Sequence, residues 1–174
     1  MTDYEFTLRF RITDSSVGID DRLERLFEAG CDDSLPGIGR SGSIALAFTR
    51  SSESARDAIL SALASALGAM PDATLIGASP DLVGLTDIAR IMGFSRQNMR
   101  KLMLGGVEPG PAPVHESAPS LWHLADALTW LGGRGYSVDQ ALIDVAVVTM
   151  QVNLALELTR ADPAAQRAIQ KALA

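Results

Sequence analysis

Residues 37–49 read GIGRSGSIALAFT, and the first six of them spell G-x-G-x-x-G. That is the spelling of a dinucleotide-binding loop. Such a loop needs a strand before its glycines and a helix after them, so that phosphate meets a helix N-terminus. Here the residues that follow alternate: Ile44, Leu46 and Phe48 are apolar, with Ala45, Ala47 and Thr49 between them. A period of two is a strand. Gly37, Gly39 and Gly42 are therefore expected to turn a β-hairpin, with Arg40-Ser41-Gly42 as its turn chemistry. No nucleotide or other cofactor is expected on them.

Working outward, the same periodicities assign the first half of the chain. Residues 4–13 alternate strictly, with Tyr4, Phe6, Leu8, Phe10 and Ile12 on one face. Ile19, Leu23, Leu26 and Phe27 then fall at helical spacing, with Asp20 and Asp21 in the first turn and Gly30 at the exit. Residues 52–69 carry a second helical pattern, MPDA breaks it, and TLIGAS is a short last strand. The order β-α-β-β-α-β is that of a ferredoxin-like α+β domain, expected over residues 1–79.

Composition bounds the function. Of the 174 residues, 47% are hydrophobic and 21% charged, which is globular rather than disordered. The net charge of −6 argues against non-specific wrapping of nucleic acid but leaves room for a local basic face. A lone cysteine, Cys31, makes neither an internal disulfide nor a thiolate cluster and suits a reducing compartment. The opening MTDYEFTLRF has no apolar leader, and no run approaches about 18 uninterrupted apolar residues. The expectation is a soluble, cytoplasmic protein with no membrane span.

GASPDLVGL, residues 77–85, reads as a boundary. Beyond it, LTDIARIMGFSRQNMRKLML (85–104) holds two short helical patterns that meet at Gly93, the second capped by Ser95. Leu85, Ile88, Ala89 and Met92 make one apolar stripe, and Met99, Leu102 and Met103 the other. This stretch resembles a DNA-binding helix-turn-helix. That family's pattern sets a small alanine, a turn glycine and five apolar positions; Ala89, Gly93, Ile88, Met92, Phe94, Met99 and Leu102 fill them. The alanine lets two helices cross closely, the glycine makes the turn, and the apolar side chains set the crossing angle.

Arg96, Gln97, Arg100 and Lys101 fall on the face of the second helix away from that stripe. The resemblance implies double-stranded DNA as partner and a DNA-contacting set of Ser95, Arg96, Gln97, Asn98, Arg100 and Lys101. Ser95 and Arg96 lie in the first turn, where recognition helices meet base edges. Arginine pairs bidentately with guanine, asparagine or glutamine with adenine, and Lys101 suits a phosphate. Over residues 83–136, Arg90, Arg96, Arg100, Lys101 and Arg134 stand against Asp87, Glu108, Glu116 and Asp126. The module is near neutral while the chain is acidic. A solvated charged face is the plain alternative.

PAPVHESAPSLWHLADALTWLGGRGY extends the resemblance to the winged helix-turn-helix modules of bacterial MerR-type and excisionase-type proteins, over residues 80–136. Pro111, Pro113 and Val114 would enter the wing, Ser120 would cap the next helix, and Trp122, Leu124, Ala125, Leu128 and Leu131 would pack back on the helix-turn-helix. The wing departs from the pattern: it is short and has His115 and Glu116 where a basic tip would stand.

Residues 137–160 read as one long helix capped by Ser137, with two apolar rows. One row covers its own domain, and the other is expected to meet a second copy, making residues 137–174 a dimerisation segment through Val138–Arg160. The alternative is a helix sunk within one monomer. Asp162-Pro163 ends it before a short last helix. Catalysis and metal binding are not indicated: His115 and His123 lack ligand spacing, no Ser/His/Asp set appears, and Asp20-Asp21 and Asp32-Asp33 read as a helix start and a turn. The chain reads as a DNA-binding transcriptional regulator. The rival readings are an antitoxin-like or scaffolding protein whose N-terminal domain binds a protein partner, and a sensor of a small effector.

Overall fold

The computed structural model describes residues 1–14, 16–39, 42–105 and 108–174. It is a mixed α+β structure. β1 (Thr2–Ile12) buries Tyr4, Phe6, Leu8 and Phe10 and turns Glu5, Arg9 and Arg11 to solvent, as its alternation requires. α1 (Ile19–Glu28) has Asp20 and Asp21 against its positive N-terminal end. It stops at Gly30, whose φ of 79° lets the Gly30 and Cys31 N–H groups donate to the Phe27 and Leu26 carbonyls. β2 (Ser34–Ile38), β3 (Ser43–Ser52), α2 (Ala55–Ala69) and β4 (Ala73–Ser79) follow. Their strands form one antiparallel sheet in the order β2-β3-β1-β4.

The hairpin corrects one expectation. Gly37 sits inside β2, opposite Ala45, and is not a turn residue. Gly39 N–H donates to Ser43 O, and Gly42 takes a φ of 69°. Arg40 and Ser41, the rest of the expected turn, lie outside the described residues. Pro36 and Gly37 hid this strand because neither is a strand former. Pro36 is tolerated because β2 is an edge. Its odd-numbered neighbours face β3, with Asp33 O accepting from Thr49 N–H, so the missing donor falls on the open side.

The buried sheet face packs on Leu26, Ala58, Ile59, Ala62 and Ala66. Aromatics are few, so alanines let α2 lie close to the sheet. Two arginines tie the layers. Arg22, 3% exposed, holds both Asp72 carboxylate oxygens at 2.8 Å and also donates to Asp14 O. Arg50 holds Asp33 at 2.6 and 2.8 Å, donates to Gly30 O, and lies 5.1 Å from the Phe48 ring centre.

The second half has its own core. β5 (Leu82–Val83) pairs with β6 (Trp122–His123), and α3 (Leu85–Ile91), α4 (Arg96–Leu104) and α5 (Leu124–Gly133) pack around Ile88, Met99, Met103, Trp122, Leu124 and Leu128. Contrary to expectation, Ser120 does not cap α5; the cap position is His123, and Ser120 Oγ donates to Ser117 O. Trp122 and His123 are drawn into β6 by pairing with β5, so the helix starts later than propensity alone would place it.

α6 (Gln140–Leu158) starts two residues later than expected: Asp139, not Ser137, caps it, accepting from Ala141 N–H. Its two apolar rows are both used within the chain. Val145, with Ala141, Val148 and Val152, packs on the first core, while Ala146, with Leu142, Ile143, Val147 and Met150, packs on the second. It is the one described helix long and apolar enough to cross a membrane, at a mean hydropathy of 1.6. Two of its polar residues make tertiary bonds. Thr149 Oγ1 donates to Pro80 O, and the Asn153 amide bonds Ala78 N–H and O at the open edge of β4. α7 (Pro163–Leu173), capped by Asp162, buries none of its residues.

Candidate nucleic-acid interface

Local chemistry sets the geometry of α3 and α4. Gly84 starts α3, with its N–H donating to Asp87 Oδ2. Gly93, at a φ of 67°, ends it: Gly93 N–H donates to Arg90 O and Phe94 N–H to Ala89 O. That left-handed turn points the chain into α4 within two residues. Ser95 Oγ then accepts from Asn98 N–H, capping α4. Ala89 is buried, and Phe94 meets Tyr136 edge-on at 5.6 Å.

Met99 and Met103 are buried, so α4 keeps one face on the core. The six residues singled out from the sequence, Ser95, Arg96, Gln97, Asn98, Arg100 and Lys101, are all exposed on its remaining surface. α4 contains no carboxylate, and Arg96, Arg100 and Lys101 make no ion pair among the described residues. Arg90 and Arg134 differ, being paired with Asp87 at 2.9 Å and Glu108 at 3.3 Å. The unpaired positive charge of residues 83–136, among the described residues, is therefore gathered on one helix.

Two hollows flank α4. One of about 630 Å³ runs along its outer face beside Gln97, Lys101 and Leu104. Another of about 670 Å³ lies between Arg96 and Arg100 on one side and Ser117–Ser120 on the other. That second wall is a short hairpin-like loop, in which Val114 N–H donates to Leu121 O and His115 bridges Leu121. Trp122 Nε1 donates to Pro111 O and holds the loop's entry against the core. The loop brings no cation; Glu116 is exposed on it.

Sequence reasoning missed the joint between the two halves. Asp81, 4% exposed, accepts from His123 Nδ1 at 2.6 Å and from Asn153 Nδ2 at 2.7 Å. Three residues far apart in the chain meet there, and no periodicity or motif spacing marks them. Cys31 is buried, and burial pushes its thiol pKa up, which disfavours the reactive thiolate. No group of three or more metal-ligating side chains occurs among the described residues.

Comparison of the chain with protein-family models, curated proteins and solved structures gives no match.

Proposed function

We propose that the chain is a sequence-specific double-stranded DNA-binding protein that acts as a cytoplasmic transcriptional regulator. It would pair a ferredoxin-like domain (1–79) with a winged helix-turn-helix (80–136). One observation carries the reading: α4 is docked by its two buried methionines and presents Ser95, Arg96, Gln97, Asn98, Arg100 and Lys101 to solvent, its three cations unpaired among the described residues. The depth of a major groove admits a helix presented this way. The strand order β2-β3-β1-β4, in which each β-α-β unit leaves room for one antiparallel strand, supports the ferredoxin-like reading. Selection from a random duplex library with the full chain tests it. Enrichment of a defined site supports the reading, and a library that stays random after repeated rounds refutes it.

A homodimer belongs to this reading. The inner turns of α6 are covered within the chain, so the surface left for a second copy is the end of the Val138–Arg160 stretch and α7, where Leu158, Ile169 and Leu173 stand exposed. A second reading, an antitoxin-like or scaffolding protein, draws on a different surface. Phe27, Leu35 and Ile38 are each about two-thirds exposed or more, on α1 and the edge strand β2. Charging Leu35 and Ile38 would abolish a partner's binding there and leave DNA binding intact.

A further inference from the structure

The joint between the two cores encloses a cleft of about 400 Å³, within the usual range for small-molecule sites. We infer that this cleft binds a small apolar monocarboxylate, with Arg9 holding the carboxylate and Ile76, Leu82, Val114 and Leu154 holding the tail. The walls come from β4, β5, the loop before β6, and α6, so the site spans both halves.

The apolar lining is unusual because it is wet. Ile76, Leu82, Val114 and Leu154 are between 43% and 53% exposed, and all four border this one cleft. Scattered exposed aliphatics need no explanation, but four gathered in one concavity do. A bulge contributes: Arg9 faces Gly77 and Phe10 faces Leu75, so Ile76 is an extra residue, turned out into the cleft.

The charges choose the ligand. Four ionisable groups line the cleft: Arg9, Asp81, His123 and Glu157. Asp81 is engaged by His123 and Asn153, and Glu157 is paired with Arg160 at 3.2 Å. Arg9 makes no hydrogen bond or ion pair among the described residues. Its guanidinium lies over Gly77, so close that a Cβ there would stand 3.2 Å from Nη2. It is also beside Asn153, whose Oδ1 is 3.6 Å from that same Cβ position. A guanidinium held against a glycine, with no acid of its own among the described residues, is a fork for a carboxylate.

The test uses the full chain. Octanoate, octanol and octylamine at about 1 mM are compared by thermal unfolding and titration calorimetry, because a ligand of the folded state raises Tm saturably. Octanoate should bind, while the alcohol and the amine should bind at least about tenfold more weakly, since they lack a charge-assisted bond to Arg9. Arg9→Gln should reduce octanoate binding by a similar factor without lowering Tm in its absence, the side chain being exposed and unpaired. Gly77→Ala should weaken binding by displacing Arg9. No binding of octanoate, equal binding of octanol, or undiminished binding by Arg9→Gln each overturns the proposal. None of these readouts depends on DNA.

Discussion

At the scale of single residues, the proposed DNA reading assigns the basic set on α4 two kinds of contact. Arg96, in the first turn, has the reach and planar fork to pair with a guanine edge. Arg96→Ala should lose about 1–3 kcal/mol on the selected site and relax preference at one base pair. Lys101, further along the same face, suits a phosphate. Lys101→Ala should weaken all sequences alike and reduce the slope of log affinity against log salt by about one. Equal losses on specific and random duplexes for Arg96→Ala would remove it from base reading. Arg22 is different in kind, being buried and paired. Its guanidinium holds the Asp72 carboxyl below the ordinary carboxylate range, chiefly by hydrogen bonding. Folding thus keeps Asp72 deprotonated. The resulting stability is whole above the ordinary carboxyl value of about 4 and is lost as pH falls through the lowered one. The gap in urea midpoint between wild type and Arg22→Gln should therefore be widest near neutrality and shrink in acid. A gap that does not change with pH would assign Arg22 to packing alone.

At the scale of elements, α6 carries the heaviest constraint, because adjacent residues Val145 and Ala146 serve different cores. Ala146→Met has no room to enter the second core and should cost about 1–3 kcal/mol, measured as a shift in denaturation midpoint. The two rows of α6 were legible in the sequence, but their partner was not. A helix apolar on two faces reads the same whether the second face meets another core or another copy. The strongly periodic elements were equally legible: β1, β3, α2, and the α3–α4 pair down to the Ser95 cap and the Gly93 turn. The hairpin implied β2 but not its extent, since Pro36 and Gly37 break its pattern and only its pairing with β3 defines it. The start of α5 was misplaced for a related reason: β6 exists only because β5 lies opposite. Exposure of Arg96, Gln97, Arg100 and Lys101 followed from spacing alone. The Asp81–His123–Asn153 joint did not, because long-range polar contacts leave no local trace.

At the scale of the whole molecule, α6 packs on both cores, so the two should unfold as one unit. Trp122 and Trp130 lie in or against the second core only, so tryptophan fluorescence reports that half, while far-ultraviolet dichroism reports all seven described helices. The two signals should follow one denaturation curve; separate midpoints would show that the halves unfold independently. The proposed dimer should appear by light scattering, and Leu158→Glu with Ile169→Glu should give folded monomers, since both side chains are exposed. A two-fold dimer presents two α4 helices, so its site should be a palindrome with half-sites about 34 Å apart. A wild-type monomer at tens of micromolar would remove the palindrome with the dimer. The central claim, that α4 reads DNA, is tested most directly by the Arg96, Arg100 and Lys101 triple alanine variant. Its affinity for the duplex selected by wild type is measured by fluorescence anisotropy, with dichroism confirming an unchanged fold. Loss of specific binding, with a salt slope reduced in proportion to the charges removed, is the predicted result. Binding as tight as wild type by the folded variant would contradict it.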